Sequence, residues 1–166
     1  MKKVRFGDVI EGVQENAVIL HGCNDRGVMG SGIALQIKRT YPGAFAAYAE
    51  VSNESAPYPM ELGTIVPYQA AFFDNLHIVN GITQAGFGAD GRRYVNYAAV
   101  EKVFRETAMY ILAKSTEVGE PLSLHYPLIG AGLGGGEWAV ISDIIDSTMS
   151  DYPQIDHTLW IFERLP

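Results

Sequence analysis

His21-Gly22-Cys23-Asn24-Asp25-Arg26-Gly27-Val28-Met29-Gly30-Ser31-Gly32-Ile33-Ala34 is the stretch on which the fold turns. Just upstream, residues 17–23 make a nearly continuous apolar run, the pattern of a strand inside a sheet covered on both faces. Downstream, residues 31–40 carry Ile33, Ala34 and Ile37 at helical spacing. The loop between them is rich in glycine. Glycine lets successive backbone N–H groups converge, and the amino end of a helix adds partial positive charge. A strand–glycine loop–helix unit of this kind binds phosphate oxygens without a cationic side chain.

A second unit of the same form follows far along the chain, Pro127-Leu128-Ile129-Gly130-Ala131-Gly132-Leu133-Gly134-Gly135-Gly136-Glu137-Trp138. Strands are expected at residues 3–6, 63–68, 76–82, 122–128 and 158–162. Helices are expected at 44–51, after an interruption at Tyr41-Pro42-Gly43, and at 97–116 and 138–149. The helix at 97–116 has the clearest period, with Val100, Val103, Phe104, Ala108, Ile111 and Leu112 on one face. Residues 53–59 read as a polar loop and residues 86–91 as a glycine-rich, mobile one. Strands interleaved with helices predict a three-layer α/β/α domain with a central mixed sheet of about six strands. In such a sheet, two glycine loops at the carboxyl ends of strands flank one crevice. A diphosphate between them is the economical reading. No Lys-Ser/Thr follows the glycines as a P-loop requires, and Leu35 stands where the dinucleotide pattern needs a third glycine.

The bulk numbers agree. A chain of 166 residues, 48% hydrophobic and 19% charged, suits one globular domain, residues 1–166. Neither a signal peptide nor a run long enough to span a bilayer is legible, so a cytoplasmic protein is expected. A single cysteine excludes an intramolecular disulfide and a cysteine-based zinc cluster; no metal and no cofactor are expected. The net charge of −7 opposes general phosphate-backbone binding, which makes nucleic acid an unlikely partner on charge alone.

The same residues resemble the macrodomain family, which binds ADP-ribose, and the resemblance covers most of the chain. Gly7-Asp8-Val9 is similar to the family's Gly-Asp-Ile/Leu after the first strand. That likeness implies that Asp8 accepts from the adenine amino group, with Val9 beside it. The first glycine loop, continuing through Tyr41-Pro42, most resembles the branch of ADP-ribose 1″-phosphate phosphatases and their bacterial and phage relatives. Gly30, Ser31, Gly32, Ile33 and Ala34 would then hold one side of the diphosphate, and Gly130, Ala131, Gly132, Leu133 and Gly134 the other. Phe162 falls where a terminal aromatic stacks on adenine. Gln84 falls beside the distal ribose.

The phosphatase branch carries a histidine where this chain has His21, whose ordinary pKa suits a general acid or phosphate ligand. Asn24 matches an asparagine that bonds the distal ribose, and by itself it also suits a loop cap. His21 and Asn24 are therefore the candidate catalytic residues, and hydrolysis of ADP-ribose 1″-phosphate is the leading expectation. Cys23 shares a strand face with His21, so a Cys–His nucleophile is a minor alternative. Asp90 and Glu137 are the carboxylates expected nearest the crevice, either as water activators or as plain loop and helix-end charges. Two departures weaken a lysine–aspartate glycohydrolase mechanism. Gln84 stands where relatives that cleave ADP-ribose from glutamate or DNA bases have lysine, and Gly134 where the glutamate-directed branch has aspartate. Plain ADP-ribose binding and hydrolysis of modified protein or nucleic acid remain the alternatives.

Overall fold

A computed structural model describes residues 2–162. In chain order the elements are β1 (Lys2–Phe6), α1 (Val9–Gly12), β2 (Ala17–Asn24), α2 (Gly32–Thr40), α3 (Pro42–Ser55), β3 (Ile65–Ala71), β4 (Leu76–Gln84), α4 (Tyr97–Val118), β5 (Ser123–Tyr126), α5 (Trp138–Met149) and β6 (His157–Ile161). One six-stranded sheet runs β1-β6-β5-β2-β4-β3. All neighbours are parallel except β3, which lies antiparallel to β4 at the edge. The expected three-layer α/β/α architecture with a mixed sheet is what forms.

The alternation of β2 explains the layers. Val18 and Leu20 point into a core shared with Val100, Val103 and Phe104 of α4 and Ile141 and Ile145 of α5. Ala17 and Ile19 point the other way, towards Ile37 of α2 and Ala44 of α3. Both faces are covered, so the strand is apolar throughout. Helix α4 is closed at both ends by its own sequence: the Asn96 side chain accepts from Ala99 N at 2.9 Å, and Gly119 ends it at φ +74°.

Three elements differ most from the sequence expectation. The helix expected from residue 44 starts at Pro42, because proline at the first helical position loses no N–H that the helix would have used. It runs on to Ser55, into residues expected as loop. The strand expected at 122–128 is only four residues, since Pro127 has no N–H to continue the ladder. A one-turn helix, α1, escaped notice because four residues carry no period; Asp8 caps it through Ile10 N at 2.8 Å.

Candidate functional site

The five parallel strands bring their carboxyl ends to one end of the sheet. The loops after β2, β4 and β5 meet there around a cleft of about 500 Å³. Its wall holds Asn24, Gly30, Ser31, Gly32, Ile33, Ala34, Gln84, Gly130, Gly132, Leu133 and Gly134, all expected from the sequence. Gly22, Cys23, Val28, Phe87, Gly88, Ala89, Pro127, Leu128 and Ile129 complete it. Val28, Phe87, Leu128 and Leu133 are exposed apolar side chains, which gives the cleft the mixture of apolar faces and backbone polarity usual for small-molecule sites.

Two rows of backbone N–H groups line this cleft. Gly32, Ile33 and Ala34 open α2, where the first-turn amides have no intrahelical acceptor. The side chain of the N-cap, Ser31, makes no capping bond to them. Gly32 sits at φ +59°, a conformation that glycine adopts without strain. In the second loop, the Gly136 amide donates to Gly130 O at 2.8 Å and the Gly135 amide to Gly132 O at 3.0 Å, folding the loop on itself. The amides of Gly132, Leu133 and Gly134 donate to no protein acceptor among the described residues. A β-carbon at Gly134 would stand 2.8 Å from Gly130 O, so this compact loop has no room for the aspartate found there in the glutamate-directed branch.

Other expected residues take other places. His21 is fully buried, on the α3 side of β2, and is not on the cleft wall. Asn80 holds it there. Both Asn80 N–H groups donate to carbonyls, Ala44 O and Val66 O at 3.1 Å, which leaves its Oδ1 to accept from His21 Nε2 at 2.6 Å. The network therefore fixes the neutral, Nε2-protonated tautomer. Burial lowers the His21 pKa to about 4, the Asn80 bond opposing the shift only in part. An imidazole so placed is neither exposed to a phosphate nor charged at neutral pH. Cys23 shares the face, its Sγ 3.7 Å from His21 Nε2, but burial pushes its thiol well up and keeps it protonated.

Asn24 reaches the cleft with its side chain already engaged. Its Nδ2 donates to Val28 O at 2.7 Å, and its Oδ1 accepts from Arg26 N at 2.9 Å. The buried Tyr48 hydroxyl donates to the same residue, 2.7 Å from Asn24 O, and accepts from Gly27 N at 3.1 Å. Asn24 is thus the clasp of the first loop. Replacing Tyr48 by Phe strands these partners in the interior, and a loss of about 1–3 kcal/mol of stability is expected in a urea titration.

Asp8, Val9 and Phe162 are not on the described cleft wall. Gly7 N donates to Ile161 O at 2.9 Å, which sets Asp8 and Phe162 in neighbouring register at the same end of the sheet. Val9 is buried in the cluster shared with Ile19, Ile37 and Ala44, and Ala131 packs against the other cluster, that of α4 and α5. Asp90 is bound to its own loop, accepting from the Tyr94 hydroxyl at 2.8 Å and from Arg92 N at 3.2 Å, bonds that lower its pKa. Glu137 is the exposed N-cap of α5 and makes no capping bond. Neither carboxylate lines the cleft.

A second hollow, of about 450 Å³, lies over β1, β6 and β5. Its His125 offers no base: Nδ1 accepts from Trp160 Nε1 at 2.9 Å, which puts the proton on Nε2, facing Ser123 Oγ at 2.8 Å.

The family model described as Macro domain matches residues 20–145. The DNA ADP-ribosyl glycohydrolase of Mycobacterium tuberculosis is 26% identical over 158 residues, which cover 93% of this chain and 40% of that protein. The chain therefore spans about two-fifths of the length of this curated relative. Among solved structures, the macrodomain of Mycobacterium tuberculosis DarG superposes with a TM-score of 0.78 at 25% identity, covering 96% of this chain and 97% of that one. Thermosipho africanus DarTG, in complex with ADP-ribose, shares the fold with a TM-score of 0.71 at 19% identity, covering 99% of this chain and 43% of that one.

Proposed function

The chain belongs to the Macro domain family, and from that premise we propose that its cleft binds ADP-ribose as a group attached to nucleic acid and hydrolyses the bond that attaches it. The observation that carries the binding is the pair of amide rows, from the start of α2 and from Gly132 to Gly134, lining one cleft. A diphosphate between them receives donors from both sides with no cation needed. Asp8 and Phe162, at the same end of the sheet, are proposed to hold adenine, and Gln84 to lie beside the distal ribose. The likeness to a DNA ADP-ribosyl glycohydrolase over nearly the whole chain supports nucleic acid as the carrier.

In the proposed reaction water oxygen bonds to the anomeric carbon of the distal ribose, the bond from that carbon to the base breaks, and the base departs with a proton. No described side chain on the cleft wall titrates near neutrality, because the one titratable group there, Cys23, is held protonated. Water and the base exchange the proton directly, and catalysis comes from positioning and from the amides and Gln84. Turnover is expected to be slow.

Phosphate release from ADP-ribose 1″-phosphate is the second reading, supported by the same anion-binding amides. It stands behind because His21, its expected acid, lies in the core. The test presents purified protein with three ligands: free ADP-ribose, ADP-ribose 1″-phosphate, and a single-stranded oligonucleotide ADP-ribosylated on a base. Release of ADP-ribose from the oligonucleotide is the expected result. Phosphate release alone would reverse the order of the readings, and binding without release of either product would leave a recognition module.

A further inference from the structure

Two residues, one on the cleft wall and one in the first glycine loop, are accounted for by neither row of amides. Phe87 lines the cleft, yet 53% of it remains exposed. Arg26, in the first glycine loop, has a side chain 59% exposed. The buried carboxylate of Asp25 ties them together. Its Oδ1 accepts from Arg26 Nε at 3.2 Å and from Gly86 N at 2.8 Å. Two donors on one oxygen lie within two hydrogen-bond lengths of each other, so the Arg26 guanidinium stands beside the peptide that leads into Phe87. Only Nε of Arg26 is used; its two Nη groups donate to no acceptor among the described residues. Downstream of Phe87, Arg92 pairs with Asp90 through its own Nε at 3.2 Å, and Arg93 lies over the face of Tyr97.

We propose that Phe87 and Arg26 form the binding place for the nucleotide to which the ADP-ribosyl group is attached. The Phe87 ring stacks on an unpaired base, and the free edge of the guanidinium takes the adjoining phosphate. An accessible aromatic face beside a planar cation is the pairing that single-stranded nucleic acid uses without sequence preference. The chain's charge of −7 confines such contact to this spot. This proposal rests on the reading that the cleft holds ADP-ribose joined to nucleic acid.

The experiment compares wild type, Phe87→Ala and Arg26→Gln by calorimetric titration. The ligands are free ADP-ribose, a single-stranded oligonucleotide ADP-ribosylated on a base, and an ADP-ribosylated peptide. Wild type is expected to bind the modified oligonucleotide more tightly than free ADP-ribose. Phe87→Ala is expected to weaken the oligonucleotide by ~10-fold or more beyond any loss of free ADP-ribose affinity. Arg26→Gln is expected to flatten the salt dependence of oligonucleotide binding by roughly 0.7 in log–log slope, the share of one phosphate on a single strand. Equal weakening of free ADP-ribose and oligonucleotide by Phe87→Ala overturns the proposal, since the ring would then cover the ribose itself. An equal dependence of the modified peptide on both residues also overturns it. Failure of wild type to bind free ADP-ribose is a separate result, and it removes the underlying reading as well.

Discussion

Gly132→Glu is expected to weaken ADP-ribose binding by more than 100-fold while leaving the fold intact. Gly132 lines the cleft, and a β-carbon there meets nothing within 4 Å. Its φ lies outside the left-handed region, so a side chain causes no backbone strain. The substitution therefore costs the protein little, about 0.5 kcal/mol or less as at other open surface positions. To a diphosphate it matters greatly. A carboxylate about 4 Å from a phosphate charge repels it by about 4 kcal/mol at an effective dielectric constant of 20, and a 100-fold loss needs only about 2.7 kcal/mol. Calorimetry with ADP-ribose and a thermal melt of the same preparation check both halves. Unchanged affinity would place the phosphates elsewhere. The contrasting substitution is Gly134→Ala, whose β-carbon strikes Gly130 O and so disturbs the loop itself.

Taking the protein from pH 7 to pH 5 is expected to remove about 3 kcal/mol of stability. Burial holds the pKa of both His21 and His125 down to about 4, with Arg5 and Lys3 adding to the effect at His125. In the unfolded chain each returns to about 6.5. Below that value the unfolded state binds protons that the folded state refuses, so stability is full above pH 6.5 and falls as the pH drops towards 4. At pH 5 the fully buried His21 accounts for about 2 kcal/mol, and His125, partly reached by solvent, for about 1 kcal/mol after screening. His77 and His157 are shifted in the same direction. Against a typical stability of about 5–15 kcal/mol this is a large share. Urea midpoints at the two pH values measure it, and His21→Gln should flatten the slope by its share. A His21→Gln protein that keeps the wild-type slope would mean that His21 titrates in solvent, and the case for His21 in catalysis would reopen.

Much of this molecule could be read from its residues. The two strand–glycine loop–helix units announced both the fold and the cleft, because a buried parallel strand is apolar on both faces and a phosphate loop is not. The period of two placed His21 and Cys23 on one face of β2 correctly. It could not say what covers that face. The cover is α3 together with Asn80 of β4, brought there by a pairing of His21 with Asn80 across the sheet. One signal was available: Asn80 is a polar residue inside the apolar run Leu76–Gln84, and a buried amide needs partners. Phe87 was passed over for a different reason. A glycine-rich loop has no period, and the Asp25 carboxylate that holds its Gly86 amide is distant in sequence.

The most direct test of the central claim is an NMR titration of isotopically labelled protein with ADP-ribose, following the backbone amides. The expected result is that Gly32, Ile33 and Ala34 at the start of α2, and Gly132, Leu133 and Gly134 in the second loop, move together and saturate at one equivalent. Shifts confined to one loop, or to residues away from both, would contradict a diphosphate held between them.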